Sequence, residues 1–125
     1  MKSFSGKVAA ITGAGSGIGQ ATAIALAKEG CHLAISDISR ESLDNTIELL
    51  AGYPVDISTH VVDVSDREAV YKYAEDTVTT HGKVNLIMNN AGVGLGETVD
   101  KMSYENFEWL MNINFWGVVY GTKAF

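Results

Sequence analysis

The 125-residue sequence contains one cysteine, Cys31, and one proline, Pro54. A single cysteine forms no internal disulfide, which fits a reducing, cytoplasmic setting, and Cys31 reads as a small buried hydrophobe at the start of a strand. No apolar stretch nears the roughly 18 residues of a membrane-crossing helix, so no membrane partner is expected. The opening Met1-Lys2-Ser3-Phe4-Ser5-Gly6 leads almost directly into a strand and leaves no room for a signal peptide. Basic residues are scarce, 9 against 15 acidic, and the net charge of −6 argues against nucleic acid as a partner. His32, His60 and His81 are scattered and share no metal-ligand spacing, so no metal site is expected. Internal repeats, low-complexity tracts and linkers are missing too. What remains, 46% hydrophobic and 19% charged, is the composition of one soluble globular domain with a single core.

Against this plain background one stretch stands out, Thr12-Gly13-Ala14-Gly15-Ser16-Gly17-Ile18-Gly19. It follows the apolar run Val8-Ala9-Ala10-Ile11 and enters an alanine-rich segment that ends at Gly30. That is the layout of a strand, a glycine turn and a helix whose N-terminus can receive a phosphate. Free backbone N–H groups and the positive end of the helix dipole make such a turn an anion site. Glycine keeps side chains away from an approaching pyrophosphate. The turn is no P-loop, because no Lys-Ser/Thr pair follows the last glycine. It also departs from Gly-x-Gly-x-x-Gly, because Gly13, Gly17 and Gly19 are spaced Gly-x-x-x-Gly-x-Gly.

Along the rest of the chain, short apolar runs alternate with longer amphipathic stretches, which predicts an α/β, doubly wound parallel sheet of the Rossmann type with about four strands and four helices. Strands are expected near 7–12, 32–37, 58–63 and 84–89, and helices near 17–29, 40–51, 67–81 and 103–125. Gly30, Gly52 and Gly82 fall at C-cap positions, and Asp66 at the N-cap region of the third helix. Asp37 closes the second strand 18 residues past Gly19, near the place about 20 residues on where an acid accepts hydrogen bonds from an adenosine ribose. In the last helix, Phe107, Leu110, Met111, Asn114 and Val118 share one face. Asn114 on that stripe reads either as an amide holding another backbone segment or as a functional group. Trp109, Phe115 and Trp116 read as core or interface packing.

The form Thr12-Gly13-x-x-x-Gly17-x-Gly19 resembles the cofactor turn of the short-chain dehydrogenase/reductase family. Asp63-Val64, closing the third apolar run, is similar to that family's adenine-contacting pair. Asn89-Asn90-Ala91-Gly92 is similar to its Asn-Asn-Ala-Gly signature. The resemblance runs from about Lys7 to the last residue. It implies an oxidoreductase acting on CH–OH, moving hydride between nicotinamide and an alcohol or ketone, as a homodimer or homotetramer. The cofactor-binding residues it implies are Thr12, Gly13, Ser16, Gly17, Ile18, Gly19, Asp37, Asp63, Val64, Asn90, Ala91 and Gly92. Asn114, with Gly117 three residues on, matches the catalytic asparagine that holds a water in the family's proton relay. NAD is expected rather than NADP, because a carboxylate at Asp37 repels a 2′-phosphate. The positions where NADP-preferring members carry a basic residue hold Ser16 and Ile38, and Arg40 is the one cation that could soften the preference.

The family's acid–base pair, Tyr-x-x-x-Lys, has no match here. Tyr120 and Lys123 are one residue too close, and Tyr71, Tyr73 and Tyr104 are followed by Glu75, Thr77 and Glu108 at the lysine position. The fourth strand would stand as an open edge, and the last helix stops at Phe125 without a cap. Residues 1–125 are therefore expected to be a cofactor-binding domain truncated before the catalytic serine, tyrosine and lysine, inactive alone. The alternative is a non-catalytic half-domain that binds a nucleotide as a sensor or as a subunit completed by a partner.

Overall fold

The computed structural model describes residues 2–125; Met1, the first residue of the segment read above as too short for a signal peptide, lies outside them. Four parallel strands, β1 (Val8–Ile11), β2 (His32–Asp37), β3 (Ile57–Val61) and β4 (Leu86–Met88), form one sheet in the order β3-β2-β1-β4. The register pairs Ile11 with Ile35 on one side and with Met88 on the other. The helices are α1 (Gly17–Lys28), α2 (Arg40–Leu50), α3 (Arg67–His81), α4 (Tyr104–Met111) and α5 (Gly117–Ala124).

Strand alternation divides the apolar side chains between two cores. Ala9, Ile11, Leu33 and Ile35 meet Ala23 and Leu26 of α1 and Leu43 and Leu50 of α2 on one face. Ala10 and Ala34 point the other way, where Val70 and Tyr73 of α3 and Tyr120 and Phe125 pack. Helices on both faces explain why β1 is buried along its whole length and carries no polar alternation. The doubly wound sheet expected from the sequence is what forms. Helix α3 starts at Asp66, whose carboxylate accepts from the Ala69 N–H at 3.1 Å, and ends at a left-handed Gly82. Gly52, expected as a cap, lies beyond the α2 cap residue Ala51 and is not among the positive-φ glycines.

The last helix departs from expectation. Instead of one helix over 103–125, α4 and α5 are joined by a π turn at Asn112–Trp116, with the Gly117 N–H bonded to the Asn112 carbonyl. A π turn adds a residue to the helical count, so periodicity counted across it slips by one. The face that Phe107, Leu110, Met111, Asn114 and Val118 were expected to share is not the buried one: Met111, before the turn, is 47% and Val118, after it, 38% exposed, while Gly117 and Gly121 are buried. Trp109, Phe115 and Trp116 are also about half exposed, so none is a core residue in this chain.

The histidines are not all scattered. His60 and His81 each place Nε2 on the Ser58 hydroxyl, at 2.8 and 2.9 Å, while His32 bonds the Asp56 N–H elsewhere. Sequence spacing concealed this because α3 returns His81 to β3. Among the described residues, no cluster of three or more potential metal-ligating side chains forms. One hydroxyl proton serves one ring nitrogen, so one imidazole accepts from Ser58 and the other donates to it. Burial is the main cause that lowers the pKa of both rings, with the Asp76 carboxylate opposing it at His60 and Asp56 at His81. The unfolded chain thus takes up these protons first. The stability contributed is complete above about pH 6.5 and is lost as pH falls toward the folded-state values. The urea midpoint is expected to drop between about pH 7 and about pH 5, and to drop less in His60→Gln. An equal drop in His60→Gln would remove the pair from this role.

Candidate functional site

A cleft of about 490 Å³ opens where the strands end. In a parallel sheet with helices on both faces, the carboxyl ends of the strands splay their loops apart, and ligands enter there. Each strand contributes. Gly13, Ser16, Gly17 and Ile18 come from the β1–α1 turn, Asp37 and Ile38 follow β2, and Val62, Asp63 and Val64 follow β3. Beyond β4, Asn90, Ala91, Gly92 and Val93 form one wall, and Trp109 of α4 and Ile113 of the π turn close it.

The glycine turn is shaped by contacts that exclude side chains. Gly13 has φ +65, and a Cβ there would stand 2.9 Å from the Ala91 Cα. Gly17 has φ +54 with open space around it, so only its backbone conformation demands glycine. A Cβ on Gly19 would collide with the Gly13 carbonyl. Ser16 precedes α1 in extended conformation and makes no side-chain cap, so the first-turn N–H groups, which have no intrahelical partner, receive none from Ser16 Oγ either. These N–H groups and the helix dipole offer an anion site beside the cleft.

Asp37 is joined to this turn. Its Oδ2 accepts from the Gly15 N–H at 2.9 Å and its Oδ1 from the Ser39 N–H at 3.0 Å. Each oxygen keeps a lone pair, and the carboxylate lines the cleft. Arg40 points elsewhere: its Nη1 lies 3.0 Å from the Thr59 hydroxyl and 3.8 Å from Asp44. Asp63 accepts from the backbone and hydroxyl of Ser65, which fixes the loop after β3.

Thr12 lies beneath the cleft rather than in it. It is 3% exposed, its hydroxyl accepts from the N–H groups of Asn90 and Ala91, both at 3.0 Å, and reaches the Met88 carbonyl at 3.4 Å. Asn90 returns the tie, donating Nδ2 to the carbonyls of Thr12 and Gly13 at 3.1 and 3.2 Å. Gly19 is buried inside the turn. Asn114 stands just behind the cleft wall and grips it. Its Oδ1 accepts from the Val93 N–H at 2.9 Å, and its Nδ2 donates to the Val93 carbonyl at 2.8 Å. The amide holds a backbone segment, the plainer of the two sequence readings, while retaining one N–H and one lone pair.

Ile38, Val62, Val93, Trp109 and Ile113 line the cleft without having been assigned to it from sequence. All but Trp109 adjoin an assigned residue in the chain, and an apolar character alone gives such residues to the core.

The sequence model of the family described as short chain dehydrogenase matches residues 7–125. A Mycobacterium tuberculosis protein named "Putative oxidoreductase SadH" is 43% identical over 125 residues, covering 100% of this chain and 45% of its own length. Among solved structures, a short chain dehydrogenase/reductase from Burkholderia phymatum in complex with NAD superposes with TM-score 0.91 at 38% identity, over 100% of this chain and 44% of that one. A short chain dehydrogenase from Mycobacterium paratuberculosis bound to NAD gives TM-score 0.92 at 31% identity, over 97% of this chain and 49% of that one. The chain thus spans under half the length of these relatives.

Proposed function

The chain belongs to the short-chain dehydrogenase family, and we propose that it is the NAD-binding half of an oxidoreductase that moves hydride between nicotinamide and an alcohol or ketone. The observation that carries this reading is the union of Asp37 and the glycine turn through the Gly15 N–H. That bond sets a ribose-accepting carboxylate beside a phosphate-accepting helix N-terminus, as adenosine diphosphate geometry requires. The NAD named with two of the solved relatives supports the same cofactor here.

In this reading the turn at Gly13–Gly19 receives the pyrophosphate and Asp37 accepts from both ribose hydroxyls. Ile38 and Val64 cover the adenine, with Asp63 at its edge. Asn90, Ala91 and Gly92 leave room for the nicotinamide ribose, and Asn114 positions that wall through Val93. Bound NAD supplies the hydride-accepting carbon. This chain's residues bind and orient the cofactor and exclude water from it. The Tyr-x-x-x-Lys pair and its serine are assigned to sequence beyond residue 125, and the whole protein is assigned to a cytoplasmic homo-oligomer.

NAD is favoured over NADP because Arg40, three residues past Asp37 in the chain, is engaged by Thr59 and Asp44 rather than turned toward Asp37. The test compares two proteins. NADH mixed with small ketones should keep its absorbance with the 125-residue chain and lose it with the full-length protein. Turnover by the short chain would overturn the division of labour, and a full-length protein that binds NADH but reduces no ketone would favour a sensor.

A further inference from the structure

Helix α5 has two buried residues, and both are glycines, Gly117 and Gly121, one turn apart. A Cβ on Gly117 would stand 2.9 Å from Val64 Cγ2 and 3.3 Å from the Val64 carbonyl oxygen. On Gly121 it would overlap Asn89 Oδ1. Val64 follows β3 and Asn89 follows β4, each beside residues that line the cleft. The helix therefore rests its backbone on the two loops that shape the site.

Asn89 makes the contact unusual. Its Oδ1 is buried with no hydrogen-bond partner, and its Nδ2 reaches only the Thr122 hydroxyl at 3.3 Å. An orphaned buried acceptor needs a physical reason. Here the Gly121 hydrogen that occupies the Cβ direction points at Oδ1, a Cα–H···O contact that only glycine permits at this approach. Asn114 lies three residues before Gly117, at the start of the same docked segment, with both amide ends on Val93.

We infer that the Asn89–Gly121 contact, assisted by Val64–Gly117, sets the height of α5 over the sheet and so positions Asn114 to clasp Val93. These four are positioning residues. A methyl group on either glycine lifts the helix, parts the clasp and frees the Val93 wall of the cleft. The effect on cofactor binding rests on the proposed dinucleotide reading, whereas the clasp itself does not.

Amide hydrogen exchange at Val93, read by NMR on the 125-residue chain, separates these statements. Gly121→Ala should speed exchange of the Val93 N–H by about tenfold or more while leaving the β1–β2 amides unchanged. Adding Asn89→Ala removes the obstructing oxygen and should restore Val93 protection to that of Asn89→Ala alone. If Gly121→Ala does not fold, Gly117→Ala with and without Val64→Ala poses the same question at the milder contact. Unchanged Val93 exchange in the glycine variants, or equal loss in single and double variants, would overturn the inference. An opened clasp with NADH affinity unaltered would keep the clasp and reject its link to the cofactor.

Discussion

Thr12→Val should lower folding stability by about 2–3 kcal/mol, a substantial share of the roughly 5–15 kcal/mol that holds a domain together. Valine has nearly the shape of threonine, so the loss falls on hydrogen bonding alone. The Thr12 hydroxyl is the acceptor for the N–H groups of Asn90 and Ala91, and Asn90 N–H has a second acceptor in the Met88 carbonyl at 3.0 Å. Ala91 N–H, which is half-buried, is left with the larger deficit, about 1–2 kcal/mol, toward the low end of the range for an unsatisfied donor. The loss of the shared bond at Asn90 adds to it. The melting temperature should fall by roughly 10 °C, and Thr12→Ser, which keeps the acceptor, should recover most of it. A Thr12→Val protein within about 0.5 kcal/mol of the parent would show that the hydroxyl is not what ties the turn to β4.

Asp37→Ala should weaken NADH binding by about 100-fold and leave NADPH binding no weaker. Two hydrogen bonds to a charged acceptor contribute about 1.5–3 kcal/mol each, so their joint loss is worth at least that factor for NADH. For NADPH the carboxylate is a liability, since like charges about 4 Å apart repel by about 4 kcal/mol near a protein surface. Alanine also frees the N–H groups of Gly15 and Ser39, so part of the NADH loss is a looser turn. Asp37→Asn separates the two contributions, because the amide oxygen still accepts one bond while the charge is gone. The NADPH-to-NADH affinity ratio should rise by more than about tenfold in both variants. A ratio that stays constant would remove Asp37 from the ribose site.

Local order was legible along the chain. β2 was expected at 32–37 and α3 at 67–81, and both fall there, because hydrophobic runs and caps at Asp66 and Gly82 are local signals. The glycine turn was legible for the same reason, since its spacing is itself the chemistry. The π turn was not, because Asn112–Trp116 has no composition that distinguishes it from α-helix. A regular helical count gave Asn114 a face in common with Phe107, Leu110, Met111 and Val118, whereas it stands exposed within the π turn, clasping Val93. The Ser58, His60 and His81 cluster escaped notice because it joins an edge strand to the far end of a helix. Trp109 was assigned to packing, as large aromatics usually are, yet at 44% exposure it borders the cleft. For the Asn114 clasp and the histidine cluster the decisive contact crosses between elements distant in sequence, and only the topology brings them together.

The most direct test of the cofactor reading is titration of NADH and NADPH into the 125-residue chain, following energy transfer from tryptophan to the reduced nicotinamide. Trp109 lines the cleft, so a dinucleotide bound there lies close to a donor, and Trp109→Phe should weaken the transfer. Saturable transfer with NADH, at least about tenfold tighter than with NADPH, is the expected result. No saturable transfer with either, or NADPH bound as tightly as NADH, would contradict an NAD site built on Asp37 and the glycine turn.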